Sequence, residues 1–203
     1  VNFFDNMDGM AAGCALIAAA LFTLAALYRG QFFVGTLAAS VSGVAFGFLI
    51  FNWPPASIFM GDAGSHFPGY MLAVIGALTT FYVPGQNTTV APVCIPLLIL
   101  ALPIFDLFAV VFIRIRAGRP FYVGDKMHIS HRFQKMGLTD TQAALIVHLL
   151  GLALGAGALS LLWLPLAGIV IVVLQAGAIL TVISILHVVT LRREPVGENA
   201  DFR

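Results

Sequence analysis

Six stretches of predominantly apolar residues dominate this chain, and each is close to the roughly 20 residues a helix needs to cross ~30 Å of hydrocarbon. They run Met10–Tyr28, Phe32–Phe51, Ser65–Val83, Pro92–Ile113, Thr141–Trp163 and Leu166–Val189. Backbone N–H and C=O groups find no water inside a bilayer, so segments of this kind are restricted to helices or closed barrels, and runs this long and continuous select helices. The expected fold is therefore all-α, a polytopic integral membrane protein with six transmembrane helices. Composition agrees, because 60% of the 203 residues are apolar and 9% are charged, against about 25% charged in a soluble domain. The mean hydropathy is +1.00.

The connections constrain the topology further. Arg29-Gly30-Gln31 and Leu164-Pro165 are too short for anything but antiparallel hairpins. Two longer polar stretches remain, Asn52–Gly64 and Arg114–Asp140. On an alternating path Arg114, Arg116, Arg119, Lys126, Arg132, Lys135, Arg192, Arg193 and Arg203 share one side, and only Arg29 falls on the other. Lys and Arg accumulate on the cytoplasmic side, so the basic side is expected to face the cytoplasm of an inner (plasma) membrane. Residues 1–190 read as one transmembrane domain and 191–203 as a cytoplasmic tail.

Several classes drop out at this point. The net charge of +1 is uninformative about nucleic acid, but the lack of a basic stripe interleaved with aromatics argues against such a partner. Cys14 and Cys94 lie in apolar runs near opposite membrane faces, too far apart for a disulfide. The pairs Gly43 with Gly47 and Gly151 with Gly155 have the small-residue spacing that lets helices approach. His66, His148 and His187, in or beside the spans, read as packing or interhelical hydrogen-bonding groups. The sequon Asn87-Thr88-Thr89 reads as a coincidence of a polar outer loop. The chain opens on Val1 and a polar motif rather than a signal peptide, which suggests a piece of a longer protein.

Three polar constellations fall on the expected cytoplasmic side. The first is Asn2-Phe3-Phe4-Asp5-Asn6-Met7-Asp8-Gly9, just ahead of an apolar run. A carboxylate beside hydrocarbon loses several kcal/mol of hydration unless a cation, ligand or water offsets the loss. If this segment is helical, Asn2, Asp5 and Asp8 share one stripe that could grip a metal or nucleotide; alternatively, Asp8 caps the helix that follows. The second is Phe59-Met60-Gly61-Asp62-Ala63-Gly64-Ser65. Glycines permit close approach of backbone to phosphate, and Asp62 would sit beside phosphate only with a divalent cation between them, for which hard oxygen ligands suit Mg²⁺; alternatively, Asp62 caps the next helix. The third, after Arg119-Pro120-Phe121, is Asp125-Lys126-Met127-His128-Ile129-Ser130-His131-Arg132. Its histidines, one helical turn apart, with Lys126 and Arg132, could hold a pyrophosphate or lipid phosphate; alternatively, it is a basic loop on anionic lipid. Zinc is a poorer choice, since two histidines with no nearby cysteine do not fill a site.

Taken in this order, the constellations resemble the polyprenyl-phosphate N-acetylhexosaminyl-1-phosphate transferase family, also called glycosyltransferase family 4. Its Asn-x-x-Asp-Gly-x-Asp-Gly signature is similar to Asn2–Gly9, with Asn6 where a glycine is usual. Its Met-Gly-Asp-x-Gly-Ser signature matches Met60–Ser65, its Pro-x-x-Asp matches Pro103 and Asp106, and its His-x-His-His-Arg loop is similar to His128–Arg132, with Ser130 where a histidine is usual. An Asp-Asp pair carried by the family in an earlier loop has no match here, so the chain alone is expected to be inactive.

The resemblance implies transfer of an N-acetylhexosamine 1-phosphate, with GlcNAc-1-P favoured, from a UDP-sugar to undecaprenyl or another polyprenyl phosphate. The products would be UMP and a polyprenyl-diphosphate sugar that initiates cell-wall or surface glycan synthesis. It implies Mg²⁺, with Mn²⁺ as an alternative, held by Asn2 and Asp62. Phe59 would stack on uracil, Asp8 would meet the base's edge, and His128, His131, Arg132 and Lys126 would bind phosphates. Asp5 would either tune the metal or take a proton. A homodimer stays open. The rival classes are a catalytically dead relative, a CDP-alcohol phosphatidyltransferase, whose Ala-Arg after Asp-Gly is missing from Met10-Ala11-Ala12-Gly13, and a transporter, which would use Asp106 within its span.

Overall fold

The computed structural model describes residues 1–87, 89–116, 118 and 128–192. Among them all regular structure is helical. After a 3₁₀ turn at Asn2–Phe4 come α1 (Met10–Tyr28), α2 (Phe32–Asn52) and α3 (Gly61–Leu78); a second 3₁₀ turn, Ala91–Cys94, leads into α4 (Ile95–Ile99) and α5 (Ala101–Arg116). The chain continues through α6 (Ile129–Lys135), α7 (Asp140–Ser160) and α8 (Leu166–Arg192). Residues 193–203, which carry the expected tail, lie outside the described residues, as do Arg119, Asp125 and Lys126.

Four helices, α1, α2, α7 and α8, are long and apolar enough to cross a membrane, and a fifth span results if the bent pair α4–α5 is counted as one. The expectation of six spans is corrected at two places. The fourth apolar run breaks at Leu100, where its halves meet at 66°. Pro103 explains the break, because it cannot donate to the Ile99 carbonyl and its ring crowds that group. The third run begins its helix at Gly61 rather than Ser65, so Asp62, His66 and Pro68 dilute its first half. That composition keeps α3 outside the apolar set.

Alanine-rich α1 is the centre of the bundle, with 61% of its span buried, and it packs on α2, α3 and α7. Small side chains let neighbours come close. A Cβ at Gly155 would lie 2.3 Å from Leu21 Cδ1 and 3.7 Å from Ile99 Cα, so α7 needs this glycine against α1 and α4. Gly43 and Gly47, by contrast, have nothing within 4 Å of a would-be Cβ, and the packing role expected of them is not realised. The outward faces of α2 and α8 carry exposed Phe46, Ile50, Ile171 and Leu174, as a lipid-facing surface requires.

Two apolar clusters stack along the bundle. One, with Phe22, Ala25, Phe81 and Leu161, fills the half near the α1–α2 turn. The other, with Phe4, Met10, Ile129 and Phe133, underlies the opposite end, where the starts of α1, α3 and α7 meet the ends of α2 and α5. At the first end Arg29 Nη2 donates to the Phe81 carbonyl and, at 2.6 Å, to Asn87 Oδ1. Asn87 Oδ1 also accepts from Val83 N, and Asn87 Nδ2 donates to the Leu162 carbonyl. The amide of the sequon asparagine is thus committed to tying three loops together. Both cysteines are free thiols.

Candidate active site

Among the described residues, the polar groups of all three constellations come to one end of the bundle, and hydrogen bonds between distant segments join them. The local backbone explains why. Gly9 takes φ +73°, a left-handed conformation that side chains resist, which turns the chain sharply from the polar motif into α1. Asn52, buried at the end of α2, holds that turn: its Oδ1 accepts from Gly9 N at 3.0 Å and its Nδ2 donates to the Ile58 carbonyl at 2.8 Å. Asp8 Oδ2 accepts from Ala56 N at 2.9 Å. Asp8 therefore anchors the 53–58 loop and does not cap α1, whose cap position is Gly9 with no side-chain cap bond.

The single stripe expected of Asn2, Asp5 and Asp8 is corrected by this turn. Helical geometry ends at Phe4, so Asp8 faces the loop after α2, whereas Asn2 and Asp5 face α3. Asn2 Nδ2 donates to Asp62 Oδ1 at 3.2 Å and to Ser65 Oγ at 2.9 Å. Asp62 sits in the first turn of α3 and makes no cap bond there. Gly61, at φ +65°, lets the chain enter that helix with Asp62 exposed at the rim. His66, expected to pack, is also exposed, with Nδ1 2.6 Å from the Asp62 carbonyl oxygen. Partial burial, reinforced by the charge of Asp62, raises the Asp5 carboxyl above its ordinary range.

These groups fit a hard divalent cation. The donors are all oxygens, the Asp62 charge disfavours ionisation of Asp5, and Asn2, its nitrogen committed to Asp62 and Ser65, offers its amide oxygen. Among the described residues no group of three His, Cys, Asp or Glu side chains closes into a ready-made cluster.

The basic side of the site is fastened by Asp106. This carboxylate is 2% exposed and sits after the Pro103 break in α5; Oδ2 lies 2.6 Å from His128 Nδ1 and Oδ1 accepts from Ile129 N at 2.9 Å. This contact fixes the orientation of the His128 ring from α5. The start of α6 is held by the same carboxylate. His131, half-buried, bonds Gln134 Oε1 through Nδ1 at 2.7 Å, and Gln134 Nε2 donates to Asp140 Oδ1 at 2.7 Å. Thr139 and Gln142 form a capping box that starts α7 just beyond. Arg132 is buried rather than displayed. Phe59 is 77% exposed, a large ring at the rim with no packing role.

Asn52 and the His128–Asp106 pairing are organising features that sequence patterns alone did not single out. An asparagine closing a 20-residue apolar helix just before Trp-Pro-Pro was the signal for Asn52.

The profile of glycosyl transferase family 4 matches residues 1–80. A probable undecaprenyl-phosphate N-acetylglucosaminyl 1-phosphate transferase of Bacillus subtilis is 34% identical over 178 residues, 86% of this chain and 49% of the relative. A decaprenyl-phosphate N-acetylglucosaminephosphotransferase of Mycolicibacterium smegmatis is 31% identical over 214 residues, 97% of this chain and 52% of the relative. A phospho-N-acetylmuramoyl-pentapeptide-transferase of Thermoanaerobacter is 41% identical over 98 residues, 48% of this chain and 28% of the relative. The chain spans about half the length of the first two relatives. With its motifs sewn together at one end of an apolar helical bundle, the chain is a multi-pass membrane protein that belongs to glycosyl transferase family 4.

Proposed function

We propose that the full-length protein carrying this chain transfers N-acetylhexosamine 1-phosphate, GlcNAc-1-P first among the candidates, from a UDP-sugar to a polyprenyl phosphate at the cytoplasmic face of the plasma membrane. The observation that carries this reading is the juxtaposition, at a membrane-proximal end of the bundle, of the Asn2–Asp5–Asp62 oxygen cluster with the His128–Arg132 segment. One side suits a cation and the other suits phosphates. Relatives similar to this chain are named as an undecaprenyl-phosphate N-acetylglucosaminyl 1-phosphate transferase, marked probable, and a decaprenyl-phosphate N-acetylglucosaminephosphotransferase.

In the reaction a phosphate oxygen of the lipid attacks the β-phosphorus of the UDP-sugar. A new P–O–P bond forms, the bond from the β-phosphorus to the bridging oxygen breaks, and that oxygen leaves with UMP. A phosphate monoester with a second pKa near ~6 is already largely dianionic at neutral pH, so little base catalysis is required. Positioning and charge neutralisation supply most of the rate in such transfers. Mg²⁺, or Mn²⁺, held by Asn2 and Asp62 would neutralise the pyrophosphate. Asp5, beside Asp62, belongs on this cation side. His131, half-buried, and Lys126 would receive the phosphates, while His128, its ring set by Asp106, and the buried Arg132 would lend their charge and donors from behind. Phe59 would stack on uracil, and Asp8, with one oxygen on Ala56 N, would present the other to the base's edge.

Membranes containing the full-length protein, given UDP-GlcNAc and undecaprenyl phosphate, should release UMP in equal amount with a lipid-diphosphate sugar. Release of UDP in place of UMP would refute sugar-phosphate transfer.

A further inference from the structure

Asn6 and Ser130 are the two positions at which the acidic and basic motifs of this chain leave the family pattern, and they lie 124 residues apart in sequence. In the fold they touch: Ser130 Oγ donates to Asn6 Oδ1 at 2.5 Å. We propose that Asn6 and Ser130 are a coupled positioning pair that fixes the turn His128–Arg132, on the phosphate side of the proposed reaction, against the cation-side segment. The inference rests on the transferase reading for its kinetic consequence.

Three observations carry it. First, no described residue other than glycine has a positive φ, so the backbone at Asn6 does not demand glycine and accepts a side chain without strain. Second, Ser130 is fully buried, and a buried hydroxyl needs a partner, which Asn6 supplies. Third, the adjacent Ile129 N is held from the other side by Asp106. The turn is thus fastened at consecutive residues, to α5 through Asp106 and to the segment bearing Asp5 through Asn6.

The coupling has a predictable sign. Asn6→Gly alone leaves the buried Ser130 hydroxyl without its acceptor and opens a void. Ser130→His alone forces an imidazole into space that the Asn6 side chain fills. Made together, the two changes exchange a polar pair for a glycine and a ring of similar combined volume, the kind of swap that packed interiors tolerate best.

The test is a double-variant cycle in the full-length protein, reading kcat and KM for undecaprenyl phosphate by UMP release and, separately, melting temperature in detergent. Each single variant should lower kcat/KM by about tenfold, chiefly through KM, and the double variant should return to within about threefold of the parent. Ser130→Ala, which removes the hydroxyl without adding bulk, carries the single-variant arm if Ser130→His does not accumulate. Ser130→Thr, which keeps the hydroxyl, should rescue it. Losses that simply multiply in the double variant overturn the proposal, as do single variants that change melting but not KM. If the parent releases no UMP from any UDP-N-acetyl sugar, the transferase reading fails. Melting shifts then decide the pairing, non-additive values upholding it and additive values overturning it.

Discussion

Replacing Asn52 with leucine should damage this protein more than its distance from the exposed carboxylates suggests. Asn52 is 5% exposed and makes two hydrogen bonds, accepting from Gly9 N at 3.0 Å and donating to the Ile58 carbonyl at 2.8 Å. Leucine matches its shape but can do neither, so a buried donor and a part-buried acceptor lose their partners. Each such loss costs about 1–3 kcal/mol, and the sum is roughly 2–5 kcal/mol after partial relaxation. At about 2–4 °C per kcal/mol for a domain of this size, melting should fall by roughly 4–20 °C. Asn52→Asp keeps the acceptor for Gly9 N but buries a carboxylate with one oxygen facing the Ile58 carbonyl, so it too should lower melting. Because Gly9 follows Asp8 directly, both variants should lose more in kcat/KM than stability alone explains. The assay is thermal unfolding of purified full-length protein in detergent, with UMP release measured well below the transition. Melting of Asn52→Leu within about 1 °C of the parent would refute the reasoning.

Other outcomes follow from single contacts. Gly13→Ala places a Cβ 2.2 Å from His148 Nε2, so it should cost about 1–3 kcal/mol in thermal unfolding, and a second change, His148→Ala, should recover part of that loss. Asp106→Asn offers one acceptor where His128 and Ile129 use two, and UMP release should show kcat/KM reduced by about 10–100-fold, the range for lost orienting partners. Asn87→Ala removes the tie between Arg29, Val83 and Leu162 at the far end, so it should lower melting while leaving KM and kcat unchanged.

The spans most legible in the sequence were those whose stability comes from apolarity alone. Met10–Tyr28 is read without error, and Phe32–Phe51 and Leu166–Val189 differ from α2 and α8 only at their ends. Apolar length is a local property, and hydropathy measures it directly. Where backbone chemistry competes with apolarity the sequence pattern misled. The run Pro92–Ile113 has the composition of a span, yet Pro103 removes one hydrogen bond and bends it at Leu100. Motif spacing placed the right residue types at one end of the bundle, but not which of them meet. The three-residue spacing of Asp5 and Asp8 suggested one face, and the left-handed Gly9 sends Asp8 to Ala56 instead. The contacts Asn2–Asp62, Asn6–Ser130 and Asp106–His128 join segments 22 to 124 residues apart, and no local pattern encodes them. His66 looked like a packing residue because it lies in an apolar run, but the early start of α3 puts it one turn from Asp62 at the exposed rim.

The central claim is that the oxygen cluster around Asp62 serves sugar-phosphate transfer, and UMP release by the full-length protein beside its Asp62→Asn variant tests it most directly. With UDP-GlcNAc, undecaprenyl phosphate and Mg²⁺, the parent should release UMP and the variant should lose at least about 100-fold, the scale on which removal of a key electrostatic group acts. A variant that turns over at the parent's rate, or a parent that releases no UMP from any UDP-N-acetyl sugar, would contradict the account.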